Sequence, residues 1–210
     1  MMINRYHIGN AQAIGRRAVQ SNYFSTKYNK AGDLFAVLAD GTIDHPNGRR
    51  AAIMAVEYCV DAFLRNLLSV HTSQNMLKTA IEANRHIQST IYTGKIPRLS
   101  LTMMLLDKEE VQYFNVGVNK LYIYNGQNER VLEGDPYSSY FSGKCKLPAK
   151  NTIGIISAGV YTVTHPMERM RIVESEKKIF DKAQAIVKTV KEKNLENQLN
   201  TTALLIEVVK

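Results

Sequence analysis

The densest set of residues able to do chemistry lies in Leu38-Ala39-Asp40-Gly41-Thr42-Ile43-Asp44-His45-Pro46-Asn47-Gly48. An apolar run, Leu34 to Leu38, leads into this stretch and reads as a buried strand, and a long apolar pattern leaving it reads as a helix. A carboxylate at a strand's end, next to a glycine carbonyl, can hold a hard cation through oxygen ligands. Elsewhere the reactive residue types are isolated. Cys59 falls on the apolar face of a helix and reads as core. Cys145 sits between Lys144 and Lys146, a setting that favours thiolate, although an incidental loop cysteine is the plainer reading. His7, His71, His86 and His165 are scattered, and no Ser/His/Asp set, Cys/His pair or phosphate-cradling glycine loop stands out.

The elements that must position Asp40 can be read from periodicity. Ile8 to Gly15 alternates loosely like an edge strand, and Tyr23 to Asp33 reads as a polar turn. Gly48 to about Leu68 is helical, with Ile53, Val56, Val60, Phe63, Leu64 and Leu67 on one face and Glu57, Asp61 and Arg65 as a polar stripe. A second helix runs from about Gln74 to Tyr92, with Ser73 as its N-cap and Met76, Ala80, Ala83, Ile87 and Ile91 facing inward. Two consecutive long helices argue against a simple alternating parallel sheet. Strands are expected at Ser100 to Leu106, Val111 to Val116 and Leu121 to Tyr124, followed by an Asn125-Gly126 hairpin signal.

Pro136 to Lys150 reads as a polar loop and Thr152 to Ser157 as a strand, and Thr164-His165-Pro166 suits a helix start. A final helix from about Val173 to Lys193 places Ile179, Phe180, Ala183, Ile186, Val187 and Val190 inward, with Lys177, Lys178, Lys182, Lys188, Lys191 and Lys193 outward. Thr202 to Val209 is the last strand.

The length of 210 residues fits a single domain, 1–210, with a sizeable core. No repeat, linker or second domain is visible. No apolar run approaches the roughly 18 residues that span a bilayer, and Met1 to Gly15 lacks the apolar core of a signal peptide. Two cysteines in unrelated contexts point to a reducing cytoplasm rather than a disulfide framework. The net charge of +8 favours acidic partners, with a solvated lysine surface as the plain alternative. The lysines are spread out and not interleaved with exposed aromatics, which argues against a specific nucleic-acid interface.

The order Asp40-Gly41, His45, Gly48, Ala51 resembles the Asp-Gly-Met-Gly-Gly-His-x-x-Gly segment of the PP2C (PPM) family of metal-dependent Ser/Thr phosphatases, with Ile43 and Asp44 in place of two internal glycines. Gly15 to Asn22 resembles that family's Gly-x-Arg-x-x-Asn-Glu-Asp. Arg17 falls on the phosphate-binding arginine, whose planar fork matches phosphate oxygens, and Asn22 falls on a metal-binding Asp. Ser100-Leu101-Thr102 stands for Gly-Thr-Thr, Gly117-Val118-Asn119 for Gly-Asp-Ser, Ser157-Ala158-Gly159 for Ser-Asp-Gly and Leu199-Asn200-Thr201-Thr202 for Asp-Asn-x-Thr. The resemblance spans about Ile8 to Val209. It implies an α+β, PP2C-like four-layer sandwich: two antiparallel sheets packed face to face and flanked by helix pairs.

The resemblance further implies a two-metal site whose activated water attacks a phosphoserine or phosphothreonine. At the five acidic positions this chain carries Asn22, Asp40, Val118, Ala158 and Leu199, so one carboxylate of five remains. Asp40 with the Gly41 carbonyl is a poor Mg²⁺ site, since Mg²⁺ gives up its water reluctantly. The expectation is a pseudophosphatase with a remnant metal position, no cofactor and no catalytic residue. It would act as a binding or regulatory module for a phosphorylated or acidic protein partner or a kinase, in a bacterial cytoplasm. The alternatives are a divergent, weakly active Mn²⁺- or Mg²⁺-dependent phosphatase, in which Asp40, Asp44 and His45 rebuild one metal site, and a structural subunit whose partner docks on the lysine-rich last helix.

Overall fold

A computed structural model of the chain describes residues 5–41, 45–68, 72–91, 97–108, 110–134 and 138–209. The chain divides into two compact units, 1–20 with 118–133 and 147–210, and 21–117 with 134–146. Each unit holds one five-stranded antiparallel sheet.

The sheet of the second unit has the order β2-β3-β4-β5-β8, built from β2 (Asn22–Tyr28), β3 (Leu34–Gly41), β4 (Leu99–Asp107), β5 (Glu110–Val116) and β8 (Tyr140–Lys146). The central strands β3 and β4 are apolar and buried on both faces, which is why Leu34 to Leu38 reads as a continuous run. Phe35, Val37 and Ala39 alternate on one face with Leu101, Met103 and Leu105 beside them, and α1 (Gly48–Leu64) lies on that face. Phe35 and Phe63 stack at 5.0 Å between ring centroids, fixing the C-terminal half of α1 to β3. The helix presents Ala51, Ala52, Ala55, Val56, Cys59 and Ala62, so its backbone comes close to the sheet. Leu64 and Leu67, expected on this face, are 53% and 58% exposed, because the small alanines rather than the large aliphatics define the contact. Glu57, Asp61 and Arg65 are exposed as expected, with Asp61 and Arg65 paired at 3.0 Å. α2 (Thr72–Thr90) buries the expected stripe at Met76, Ala83 and Ile87; Ser73 lies within its first turn rather than capping it.

Two edge strands were hidden in the sequence. β2 occupies much of the expected turn at Tyr23 to Asp33, leaving the turn itself to 29–33, where Asn29 Oδ1 accepts the N–H groups of Ala31 and Asp33. β8 lies inside the expected loop at Pro136 to Lys150; its burial alternates strictly along the strand, but its residues are mostly polar. Edge strands carry polar residues because one side of each is open, so hydrophobic patterning underestimates them.

The sheet of the first unit has the order β1-β10-β9-β6-β7, built from β1 (Tyr6–Ala13), β10 (Thr201–Val208), β9 (Thr152–Ile156), β6 (Lys120–Tyr124) and β7 (Glu129–Leu132). The Asn125-Gly126 signal does form the β6–β7 hairpin, with Gly126 at φ +83. One face packs on α5 (Ile179–Glu192) through Ala183, Ile186, Val187 and Val190. The final helix, expected from about Val173, begins only at Ile179. α4 (Pro166–Val173) ends at Glu174, and the polar stretch 174–178 separates it from α5. His165 starts α4 as expected, and it does so through a capping box: its Nδ1 accepts the Met167 N–H while Glu168 accepts the His165 N–H. On α5, Phe180 is 52% exposed rather than inward. Lys182, expected outward, is buried with its Nζ 3.4 Å from Glu207, since a stripe anchored on Ile179, Ala183 and Ile186 sweeps position 182 onto the sheet. No helix among the described residues is long and apolar enough to cross a membrane.

Candidate functional site

In the second unit, the residues of interest gather where β3 ends. Asp40 pairs across the sheet with Asn22 on one side and Ser100 on the other. Both neighbours are neutral. Burial pushes the Asp40 carboxyl up to about 6 from its ordinary 3.8, and the Ser21 hydroxyl, 3.5 Å from Asp40 Oδ1, offsets this only in part. Gly41 follows with its N–H donating to the Ser21 carbonyl. A Cβ on Gly41 would lie 2.0 Å from the Gly48 carbonyl oxygen, so this glycine is what lets the first turn of α1 close on the strand.

His45 organises the same turn. Its Nδ1 accepts the Asn47 N–H at 3.1 Å and its carbonyl accepts the Gly48 N–H at 2.9 Å. One ring nitrogen is thus committed to the start of α1. Asp44, the other proposed replacement ligand, lies outside the described residues. Two further groups, Thr102 and Asn115, were not singled out as site residues. The Thr102 hydroxyl bonds Asn115 Oδ1, and Asn115 Nδ2 reaches the Gly117 carbonyl at 3.4 Å. Gly117, at φ +90, sits directly on Ser100. The only sequence signal for this arrangement was the partial match of Ser100-Leu101-Thr102 to Gly-Thr-Thr.

In the first unit, the loop 14–20 leaves β1 and is clamped at both ends. Gly15 takes φ +67, and a Cβ there would lie 2.5 Å from the Gln198 and Leu199 carbonyl oxygens. The Arg16 N–H donates to the Gln198 carbonyl at 2.9 Å, Gln20 Nε2 to the Ala13 carbonyl at 2.9 Å, and Asn200 Nδ2 to the Val19 carbonyl at 2.7 Å. Arg17 is held half-buried in this loop. Its Nε is shielded from solvent and has no hydrogen-bond partner among the described residues. Such an uncommitted buried guanidinium nitrogen is costly unless a ligand answers it.

The remaining positions lie at the same end of this sheet. Ser157 is fully buried, accepting the Thr202 N–H and donating to the Asn200 carbonyl. Ala158 follows it in α3 (Ala158–Tyr161), Leu199 is half-buried, and Val118 is 51% exposed. Asn119 is fully buried, and neither its amide oxygen nor its nitrogen has a hydrogen-bond partner among the described residues. Ser157 and Asn200, which fix the loops, were legible only as matching neighbours of the missing acids.

Two hard divalent ions need several anionic oxygen ligands. At the described strand ends the first unit offers Val118, Ala158 and Leu199, without a side-chain oxygen among them, and the second offers Asp40 with the neutral Asn22. No group of three or more His, Cys, Asp or Glu among the described residues is arranged to hold a metal. The described donor set does not fit a two-metal centre.

No family model matches the sequence, and no curated protein matches it. Solved structures do. The serine/threonine phosphatase Stp1 from Staphylococcus aureus superposes with a TM-score of 0.84 at 16% identity, over 100% of this chain and 96% of that one. The S. agalactiae serine/threonine phosphatase gives 0.80 at 18% identity, over 97% and 99%. The catalytic domain of the serine/threonine protein phosphatase PstP, in complex with two manganese ions, gives 0.79 at 12% identity, over 98% and 99%. The two antiparallel sheets with their helices therefore define an α+β fold of phosphatase type. More specifically, it is the PP2C-like fold of the bacterial Ser/Thr phosphatases, extending over essentially the whole chain.

Proposed function

We propose that this chain is a single-domain, bacterial, cytoplasmic member of the PP2C family that has given up metal-dependent hydrolysis and binds a phosphorylated or acidic protein partner, such as a kinase or its product. The observation that carries this reading is the surroundings of Asp40. The carboxylate at the end of β3 is flanked by Asn22 and Ser100, and burial holds it up near 6 with no cation beside it among the described residues. Arg17, in the first unit, supports the reading separately: a guanidinium with a buried Nε that has no hydrogen-bond partner among the described residues suits an anion. An arginine without carboxylates and metal beside it favours anion capture over turnover.

The alternative is a weakly active Mn²⁺- or Mg²⁺-dependent phosphatase. It is favoured by the retention of Asp40 and by PstP, whose solved structure carries two manganese ions. Calorimetric titration of chelator-treated protein with Mn²⁺ and Mg²⁺ separates the two. The binding-module reading expects no heat of binding at millimolar metal and phosphopeptide binding that is lost in Arg17→Ala. Binding of two ions per chain, with p-nitrophenyl phosphate turnover lost in Asp40→Asn, would establish the enzyme instead.

A further inference from the structure

We propose that the outer edge of β1 is a docking strand: an acidic, extended segment of a protein partner adds to it as a further strand, with its acidic side chains against Lys188 and Lys191 of α5. Arg17 plays no part in this contact, which stands or falls apart from the anion capture proposed above. Unprotected strand edges pair with other chains, and proteins shield them with charge, proline or shortness. Of the four sheet edges, β2 carries Lys27, β8 carries Lys144 and Lys146, and β7 is four residues long. β1 runs for eight residues without Lys, Arg, Asp, Glu or Pro, and its His7 is turned to Glu207 at 3.6 Å.

The ladder fixes which backbone groups point outward. The Val209 N–H donates to the Arg5 carbonyl at 2.7 Å, so these two form a bonded pair, and bonded and unbonded pairs alternate along an antiparallel ladder. His7, Gly9, Ala11 and Ala13 therefore bond β10, while Ile8 and Asn10 turn their N–H and C=O groups away from it. β10 agrees: Val208 and Thr202, both opposite even-numbered residues of β1, bond on the β9 side, to Asn151 and Ser157. The Asn10 carbonyl accepts Gln184 Nε2 at 3.3 Å, so one side-chain amide stands where a neighbouring strand would donate. The Ile8 N–H and C=O and the Asn10 N–H have no partner among the described residues.

α5 runs along this edge in the direction of β1. A Cβ on Gly9 would lie 2.2 Å from the Ile179 carbonyl oxygen, Asn10 meets Gln184, and Gln12 shares a groove of about 380 Å³ with Gln184, Val187, Lys188, Lys191 and Glu192. Phe180, Gln184, Lys188 and Lys191 are exposed and recur at steps of four and three, so they form one ridge of the helix. An added strand would lay every second side chain against that ridge. From Lys188 back to Phe180 the helix rises about 12 Å, close to four residues of strand.

Charge in the groove selects the occupant. Lys191 makes no ion pair among the described residues. Lys188 meets Glu192 at 3.6 Å, and a pair this exposed is worth little and exchanges readily for a better one. Acidic side chains near Gln12 are therefore complemented, whereas near Gly9 the exposed Asp181 and Phe180 favour an apolar residue. A second copy of this chain answers the ridge poorly, since its own β1 has no Asp or Glu and two chains of net charge +8 repel. An added strand continuing the antiparallel pattern would carry its acids first and its apolar residue about four positions later.

The test is fluorescence anisotropy of the full chain with a labelled, unphosphorylated peptide of alternating polar and valine residues, glutamates in its first half and a phenylalanine in its second. Lysine in place of the glutamates should weaken binding about tenfold, as should Lys191→Glu, a change at an exposed position. Methylating alternate backbone nitrogens of the peptide should abolish binding, and so should Asn10→Pro, which removes an N–H the native ladder does not use. Gln184→Ala frees the Asn10 carbonyl and should tighten binding about threefold. Arg17→Ala should leave it unchanged. Binding that survives backbone methylation would overturn strand addition, and equal affinity for the glutamate and lysine peptides would overturn the acidic occupant. Loss in Arg17→Ala would move the seat away from β1. A dimer of the free chain that Asn10→Pro dissolves would give the edge to a second copy, and absence of binding at millimolar peptide would overturn the docking strand itself while leaving the reading of Arg17 standing.

Discussion

Asp40 and Asn22 stand directly opposite each other across β3 and β2, so the one carboxylate at the end of β3 faces a neutral amide. Among the described residues no cation faces Asp40, and the Ser21 hydroxyl offsets its burial only in part. Its carboxyl titrates near 6 in the folded chain against an ordinary 3.8. The stabilising contribution of the protonated form is complete below 3.8 and is lost as pH rises through about 6. Asp40→Asn should therefore stabilise the protein at pH 8 by about 1–3 kcal/mol, allowing for partial solvent access. The gain should vanish at pH 4. Urea unfolding at the two pH values measures it; destabilisation by the substitution at pH 8 would mean that the charge has a partner.

Gly41 and Gly126 make a contrasting pair. A Cβ on Gly41 would lie 2.0 Å from a backbone oxygen of α1's first residue, whereas one on Gly126 meets nothing within 4 Å. Gly41→Ala must push the helix start off the strand, at about 3 kcal/mol. Gly126→Ala bears only the strain of its φ of +83, about 1 kcal/mol. Thermal unfolding of the two variants should rank them in that order, and Gly41→Ala should also shift the amide resonances of His45, Asn47 and Gly48.

The central strands, the first two helices and the start of α4 were legible because each carries an unambiguous pattern: a continuous apolar run at Leu34 to Leu38, a period near four at Met76, Ala83 and Ile87, and His165-Pro166 at a helix start. β2 and β8 were not, since an edge strand such as Tyr140–Lys146 needs no apolar side and reads as a loop. Lys182 was misread because a lysine in a basic helix looks solvated, and only Glu207 on β10 explains its burial. Of the candidate site, motif order put Asp40 at a strand's end, where β3 closes. The groups that hold the loops in place, Asn200 to the Val19 carbonyl and Ser157 to Thr202, depend on contacts across 181 and 45 residues, which no local pattern encodes.

The capping box at His165 predicts a small, separable effect. His165→Ala removes the acceptor for the Met167 N–H and should cost about 1 kcal/mol. His165→Asp keeps an acceptor at the N-cap and should restore most of it. Equal loss in both variants, measured by chemical denaturation, would show that the imidazole acts by packing and not by capping.

The largest effects are expected at the Arg169–Glu129 pair. The Arg169 guanidinium meets Glu129 in two hydrogen bonds of 2.7 and 2.5 Å, donates to the Thr164 carbonyl and hydroxyl, and lies 4.8 Å over the Tyr122 ring. Both side chains of the ion pair are 4% exposed. Removing one partner strands a buried charge, so Glu129→Ala should cost about 3–5 kcal/mol. Arg169→Lys keeps the charge but loses the two-pronged geometry and the backbone bond that caps the turn after α3, and should cost nearly as much. The double variant Arg169→Met with Glu129→Leu leaves no charge behind and should recover most of the loss. A double-mutant cycle in urea gives the coupling directly. A double variant no more stable than Glu129→Ala would mean that the network is held by its hydrogen bonds to Thr164 rather than by the pairing of the two charges.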